Sequence, residues 1–267
     1  MGRRPLDMDV VVRDLVLTDD HDAKRRIGKK IVSLGYKNGV YPASIHELYM
    51  AMGRGDVKGF TVPGMTLRTM TYDRAKAIFR VAKKINAGAF IFEIAKSEMG
   101  YTDQSPVEYV GVIVAAAIKE GYQGPVFIQA DHVQINLKKF REDRDKEIAS
   151  IKEIITEAID AGFYNIDIDS STVVDLSRRT INKQQELNYT LCGKLAQFIR
   201  KIQPKGIEVS VGGEIGEVGS KNSTPEELRA FMDGFRASLR KGKTGLSKLS
   251  IQTGTSHGGV VLPDGSI

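Results

Sequence analysis

Gly124-Pro125-Val126-Phe127-Ile128-Gln129-Ala130-Asp131-His132-Val133-Gln134 is an apolar run that opens on Gly-Pro and closes on an acid beside an imidazole. A continuous apolar stretch bounded in this way reads as a strand covered on both faces. Adjacent residues leaving a strand diverge, so Asp131 and His132 are placed to serve two separate partners at its carboxyl end. In α/β enzymes that end of a strand carries the chemistry.

Working outward, the same unit recurs. Gly59 to Met65, Ala89 to Ala95, Tyr164 to Asp169, Ile207 to Val211 and Leu246 to Thr253 read as further strands. Helical stretches separate them: Tyr72 to Ile85, Val107 to Glu120, Glu147 to Ala161, Asn182 to Ile202 and Pro225 to Lys241. The last is announced by Ser223 or Thr224 as cap, with Glu226 and Glu227 in its first turn. Such alternation implies a parallel sheet with right-handed crossovers. No Gly-x-Gly-x-x-Gly follows the first of these strands, which argues against a dinucleotide-binding sheet. Instead, functional residue types follow nearly every strand: Glu93 and Lys96, Asp131 and His132, Asp169 with Ser170 and Ser171, Glu214, and His257. Groups donated by the ends of many strands mark the carboxyl face of a barrel. The expected fold is therefore α/β, a TIM (β/α)8-type barrel with about six of its eight strands in this chain.

Residues 1–58 lack this alternation. Asp19 to Gly35 has a helical pattern with a basic face, and Ser44 with Glu47 reads as a capping box opening a second helix. The chain thus divides into an N-terminal helical extension, 1–58, and a barrel, 59–267. His21 and His46 follow no buried strand and read as surface or capping histidines.

Composition narrows the setting. A chain of 267 residues with 41% hydrophobic residues can bury a full core. The formal charge of +6 is spread over short mixed runs, interrupted by Asp and Glu and without interleaved aromatics, which reads as solvated surface and not as a nucleic-acid footprint. No run approaches the roughly 18 apolar residues of a membrane span, and Met1-Gly2-Arg3-Arg4-Pro5 offers no apolar signal segment. The single cysteine, Cys192, rules out an internal disulfide, fits a cytoplasmic protein and reads as a small buried hydrophobe. A homo-oligomer acting on a small molecule, with no nucleic-acid or membrane partner, is the expected setting.

His132 and His257 occupy matching positions at strand exits. Two imidazoles and a carboxylate are what a catalytic zinc site uses; each histidine alone reads better as a hydrogen-bonded structural residue, and only their matching positions raise the pair above that. Lys96 is the plausible Schiff-base lysine at a strand exit, since Lys248 lies at a strand entrance, but it reads better as a phosphate contact or an ion-pair partner. Glu93, inside an apolar strand, is either a paired barrel carboxylate or a catalytic helper.

Ala130-Asp131-His132, Ile168-Asp169-Ser170-Ser171, Gly213-Glu214-Ile215-Gly216 and Gly254-Thr255-Ser256-His257-Gly258 resemble, in that order and near those intervals, the motif series of the class II, metal-dependent fructose-bisphosphate aldolases. The likeness covers about residues 59 to 260. It implies a zinc barrel that reversibly cleaves fructose 1,6-bisphosphate to dihydroxyacetone phosphate and glyceraldehyde 3-phosphate. His132 and His257 then become zinc ligands, and Asp131 the proton-transferring acid that serves the C4 oxygen. Asp169 and Glu214 match acids near the metal that orient ligands, hold a second cation or bind the metal in an alternative position. Gly258 opens a loop that in the family contributes to phosphate and monovalent-cation binding, and Ser171 and Lys96 are the other expected substrate contacts.

Tagatose bisphosphate is the nearest rival substrate under this resemblance, and a non-catalytic barrel subunit that binds sugar phosphate is the alternative of a different class. Family members continue past the Gly-Thr-Ser-His-Gly element with two more strands, which supply a third zinc histidine and part of the phosphate site. No histidine follows His257 here, so the sequence is expected to be a fragment of a longer protein, the alternatives being that another chain supplies the missing part or that a truncated product has lost activity; were Glu214 to replace the missing histidine, a weaker three-ligand site would survive.

Overall fold

The computed structural model describes residues 6–216 and 222–252. Helices α1 (Met8–Leu17) and α2 (His21–Lys37) come first, each started by an aspartate, Asp7 or Asp20, whose carboxylate accepts first-turn N–H groups. They lead to β1 (Val40–Ala43) and α3 (His46–Arg54). The main series is β2 (Gly64–Thr66), α4 (Thr71–Lys84), β3 (Ile91–Ala95), α5 (Lys96–Thr102), α6 (Pro106–Lys119) and β4 (Gly124–Gln134). It continues through α7 (Leu137–Glu142), α8 (Arg144–Ala161), β5 (Asn165–Asp169), α9 (Ile181–Ile202), β6 (Ser210–Glu214), α10 (Pro225–Ser238) and β7 (Lys248–Ser250).

The strands β2 to β7 pair in strict chain order and are all parallel. A doubly wound sheet reverses its strand order at a switch point, whereas a barrel never does. The observed arc is therefore part of a (β/α)8 barrel, as expected.

Along the arc the side chains alternate. Phe92 and Ile94, Val126, Ile128 and Ala130, and Ile166 and Ile168 are buried apolar residues. Between them stand Glu93, Gln129 and Asp131, and Asn165, Asp167 and Asp169. Successive strand side chains point to opposite faces, so the apolar set meets the helices and the polar set lines the inside of the arc. The reading of Gly124 to Gln134 as apolar on both faces is thus corrected: its inner face is polar. On the outer face, Phe79 of α4 packs against Phe92 and Tyr122 with ring centroids 5.1 and 4.8 Å apart. Cys192 is fully buried, as expected.

Residues 1–58 contain helices but also β1, which the helical reading missed. Val40 to Ala43 pair in parallel with Gly124 to Phe127, the first part of β4, and β5 takes over along the rest from Gln129. Helix α3 has Ile45 as its cap with no side-chain bond, so the Ser44–Glu47 capping box is not formed. Ser44 Oγ instead accepts the His46 N–H at 3.2 Å. His21 is exposed as expected, but His46 is buried, with Nδ1 2.8 Å from Ser247 Oγ. Among the described residues no helix is long and apolar enough to cross a membrane.

Candidate active site

Pairing along β4 breaks at the two residues singled out by the sequence. Ala130 is level with Ile166, and the next matched pair is Val133 with Ile168, so Asp131 and His132 together stand opposite the single residue Asp167. This is a β-bulge. His132 takes a φ of +40°, a left-handed conformation that costs a residue with a side chain on the order of 1–3 kcal/mol. The bulge cancels the divergence expected of neighbours: His132 Nε2 lies 3.7 Å from Asp131 Oδ2, and both side chains enter one cluster.

The last residues of β5 and β6 complete it. His132 Nδ1 lies 3.4 Å from Asp169 Oδ2 and 3.3 Å from Glu214 Oε2. One ligand atom from each of the three residues falls within 4.8 Å of the others. Asp169 is itself held: its Oδ1 accepts from Ser171 Oγ at 2.7 Å and Ser171 N at 3.1 Å, and its Oδ2 from Gln134 Nε2 at 2.6 Å.

The electrostatics follow from this packing. Hydrogen bonds to Asp169 and then Glu214 push the His132 imidazole up to about 11. Burial alone would raise Asp169, but the bonds from His132, Ser171 and Gln134 outweigh it and hold the carboxyl below its usual range. Burial pushes Asp131 up to about 6, against the opposing pull of His132.

The donor set suits a small divalent cation. Tetrahedral zinc with bonds of about 2.0–2.1 Å holds its ligand atoms roughly 3.3–3.4 Å apart. The imidazole nitrogen stands at 3.3 and 3.4 Å from the two carboxylate oxygens, and all three ligand atoms lie within 4.8 Å of one another, so binding the ion needs only a small inward shift of the carboxylates. Imidazole nitrogen and carboxylate oxygen are both among the usual ligands of zinc.

Of the residues expected from sequence, Asp131, His132, Asp169 and Glu214 are brought together, with Ser171 behind Asp169. Lys96 opens α5 and is placed differently: its Nζ donates to the Gln134 carbonyl at 3.3 Å and lies 3.8 Å from the buried Glu147. Burial pulls its ammonium below the usual lysine range. His257 and Gly258 lie outside the described residues. Gln129 and Gln134 were missed, although both belong to the polar set of the strand that carries the Asp-His pair. Their signal was period-two polarity within a stretch read as uniformly apolar.

The sequence matches the family model of the class II fructose-bisphosphate aldolases over residues 52–263. The chain belongs to this family. Its members are lyases, and the clustered Asp131, His132, Asp169 and Glu214 stand on the motifs that carry the resemblance. No curated protein matches the sequence. Among solved structures, the chain is similar in fold to a probable tagatose 6 phosphate kinase from Sinorhizobium meliloti 1021, with a TM-score of 0.51 and 14% identity. The match covers 67% of this chain and 44% of that one, so this chain spans less than half the length of that protein.

Proposed function

We propose that this chain performs zinc-dependent aldol chemistry, the reversible cleavage of fructose 1,6-bisphosphate to dihydroxyacetone phosphate and glyceraldehyde 3-phosphate. The observation that carries the reading is the convergence of His132, Asp169 and Glu214 within 4.8 Å, beside a half-buried acid on the same bulge. His132 and Glu214 would hold the metal, with His257 and Asp169 as the other ligands or as holders of a second divalent or a monovalent cation. When bound, the ion supplies Lewis-acid stabilisation for the negative charge that develops on the ketone half of the substrate.

The chain's own residues do the rest. Ser171 and Gln134 fix the Asp169 carboxylate. In cleavage the C3–C4 bond breaks, its electron pair passes to the dihydroxyacetone half, which takes up a proton from water at C3 before release, and Asp131 takes the proton of the C4 hydroxyl. In condensation Asp131 returns that proton to the aldehyde oxygen. A carboxyl at about 6 is well matched to this exchange, because both protonation states are reached near neutral pH. Ser171, Lys96 and Gly258 are proposed contacts of the phosphorylated sugar. The setting is a cytoplasmic homo-oligomer of sugar-phosphate metabolism.

Metal content and a retro-aldol assay test the reading together. The parent protein is expected to bind about one zinc per chain, the occupancy of a single catalytic site, and to release triose phosphate. His132→Ala is expected to lose both. Cleavage that survives thorough chelation would overturn the metal-dependent mechanism.

A further inference from the structure

Beneath Asp131 the inner face of the arc holds a second polar group that the cleavage scheme does not use. Lys248, the first residue of β7, reaches across the interior, with Nζ 2.8 Å from Asp167 Oδ2 and 2.7 Å from Gln129 Oε1. Gly212 of β6 makes room for it: a Cβ there would collide with Asp167 Oδ1 and press on the Lys248 chain. Gln129, only 2% exposed, donates through Nε2 to Glu93 Oε2 at 3.1 Å and to Asp131 Oδ1 at 3.4 Å. Glu93 is held from its other side by Thr66 Oγ1 at 2.9 Å.

Donor chemistry fixes the direction of this chain. An ammonium group has donors only, so the amide of Gln129 must present its oxygen to Lys248. Its NH2 group is then committed to the opposite side, with one N–H for each of two carboxylates. A flipped amide would face Lys248 donor to donor and set its oxygen against Glu93 and Asp131.

We propose that Gln129 and Lys248 are positioning residues for Asp131: Lys248 locks the Gln129 amide, and that amide holds one oxygen of the Asp131 carboxylate while the other faces His132. The proposal rests on the reading of Asp131 as the proton-transferring acid. It gives the Lys248–Asp167 pair a role in turnover besides the neutralisation of a buried charge, and it accounts for Glu93 as the second acceptor that anchors the amide.

Gln129→Glu is the discriminating variant, because it keeps the size of the side chain and an oxygen for Lys248 while replacing the donor with an acceptor. Its kcat on fructose 1,6-bisphosphate is expected to fall about tenfold to a hundredfold, the order that a misplacement of about 1 Å costs. KM should stay within about twofold, since substrate binding is not what is lost, and zinc content should match the parent, while the melting temperature should fall because a buried acceptor now faces the carboxylates of Glu93 and Asp131. Lys248→Met should lose turnover to a similar extent and also stability, because Asp167 is left buried and unpaired. Adding Asp167→Asn to Lys248→Met should restore the melting temperature without restoring kcat. Parental kcat in Gln129→Glu, or kcat that returns with stability in the double variant, overturns the proposal.

A crystal structure of Gln129→Leu separates this from the aldolase reading. An Asp131 carboxylate turned out of its place supports the positioning role even if the parent cleaves no sugar bisphosphate, in which case the proposed activity alone fails. An unmoved Asp131 overturns the positioning role even in a fully active aldolase.

Discussion

Asp131 and His132 are neighbours that do different work, and the left-handed turn at His132 is what lets both work at one point. The two tasks separate experimentally. Asp131→Asn retains the size of the carboxyl and leaves the His132, Asp169 and Glu214 cluster in place. It is expected to bind zinc as the parent does while cleavage falls about 10²–10⁴-fold, the usual contribution of a positioned acid–base group. Zinc lost together with activity would instead make Asp131 a structural member of the metal cluster. His46 carries a different consequence. Burial pulls its imidazole below the ordinary value of 6.5, with the charge of Arg200 adding to the effect. The unfolded chain therefore takes up a proton more readily than the folded one. The stability from the neutral ring is complete above about pH 6.5 and is lost as the pH falls toward the folded-state value. Denaturant titrations between pH 7 and pH 5 should show a steeper loss for the parent than for His46→Gln, and equal slopes would remove His46 as the cause.

At the scale of the element, what hydropathy patterns encode was legible and what backbone geometry decides was not. The helix at Pro225 could be placed from its capping residues, and Thr224 with Glu227 does form the reciprocal box. Ser223, the other candidate, turns out to pair with Gln252 in both directions, Ser223 N to Gln252 O at 2.8 Å and Gln252 N to Ser223 Oγ at 2.9 Å. Thr224→Ala should consequently cost about 1 kcal/mol in chemical denaturation, the usual value of a lost cap. A Thr224→Ala curve that overlays the parent would assign the cap elsewhere. Asp169 and Glu214 were legible because each ends a strand, and Asp131 with His132 because they close the apolar run of β4. The bulge was not, since a shift of register leaves no mark in residue type. The polar inner face was hidden for a related reason: Gln129 between Ile128 and Ala130 reads as an interruption of an apolar run until the strand's period of two is imposed. Ser44 with Glu47 misled because the capping-box spacing is present while the backbone begins the helix one residue later.

For the whole molecule, β1 bears directly on whether residues 1–58 are an accessory or part of the barrel body. Asn165, at the start of β5, is the joint. Its Oδ1 accepts the Ile45 N–H at 2.9 Å, and its Nδ2 donates to Ala43 O at 3.1 Å and to Ile128 O at 2.9 Å. One buried amide thus ties the end of β1 to β4 and β5. Helix α2 also lies close on α6, where a Cβ on Gly28 would collide with Val107 and one on Gly35 with Val114. Sequence could not show this, because a four-residue strand flanked by longer helices has too short a pattern to declare its period. The expected outcome is a single cooperative unit. Asn165→Ala strands one buried donor and two acceptors, at about 1–3 kcal/mol for an unsatisfied group, so a loss of at least about 2 kcal/mol is expected in urea titration. A chain starting at residue 59 removes β1 and α2 together, which opens the edge of β4 at Gly124 to Phe127 and uncovers α6. It should lose the sharp unfolding transition altogether. Were the shortened chain to unfold cooperatively and bind zinc like the parent, the first 58 residues would be a separable extension and the joint at Asn165 a local contact.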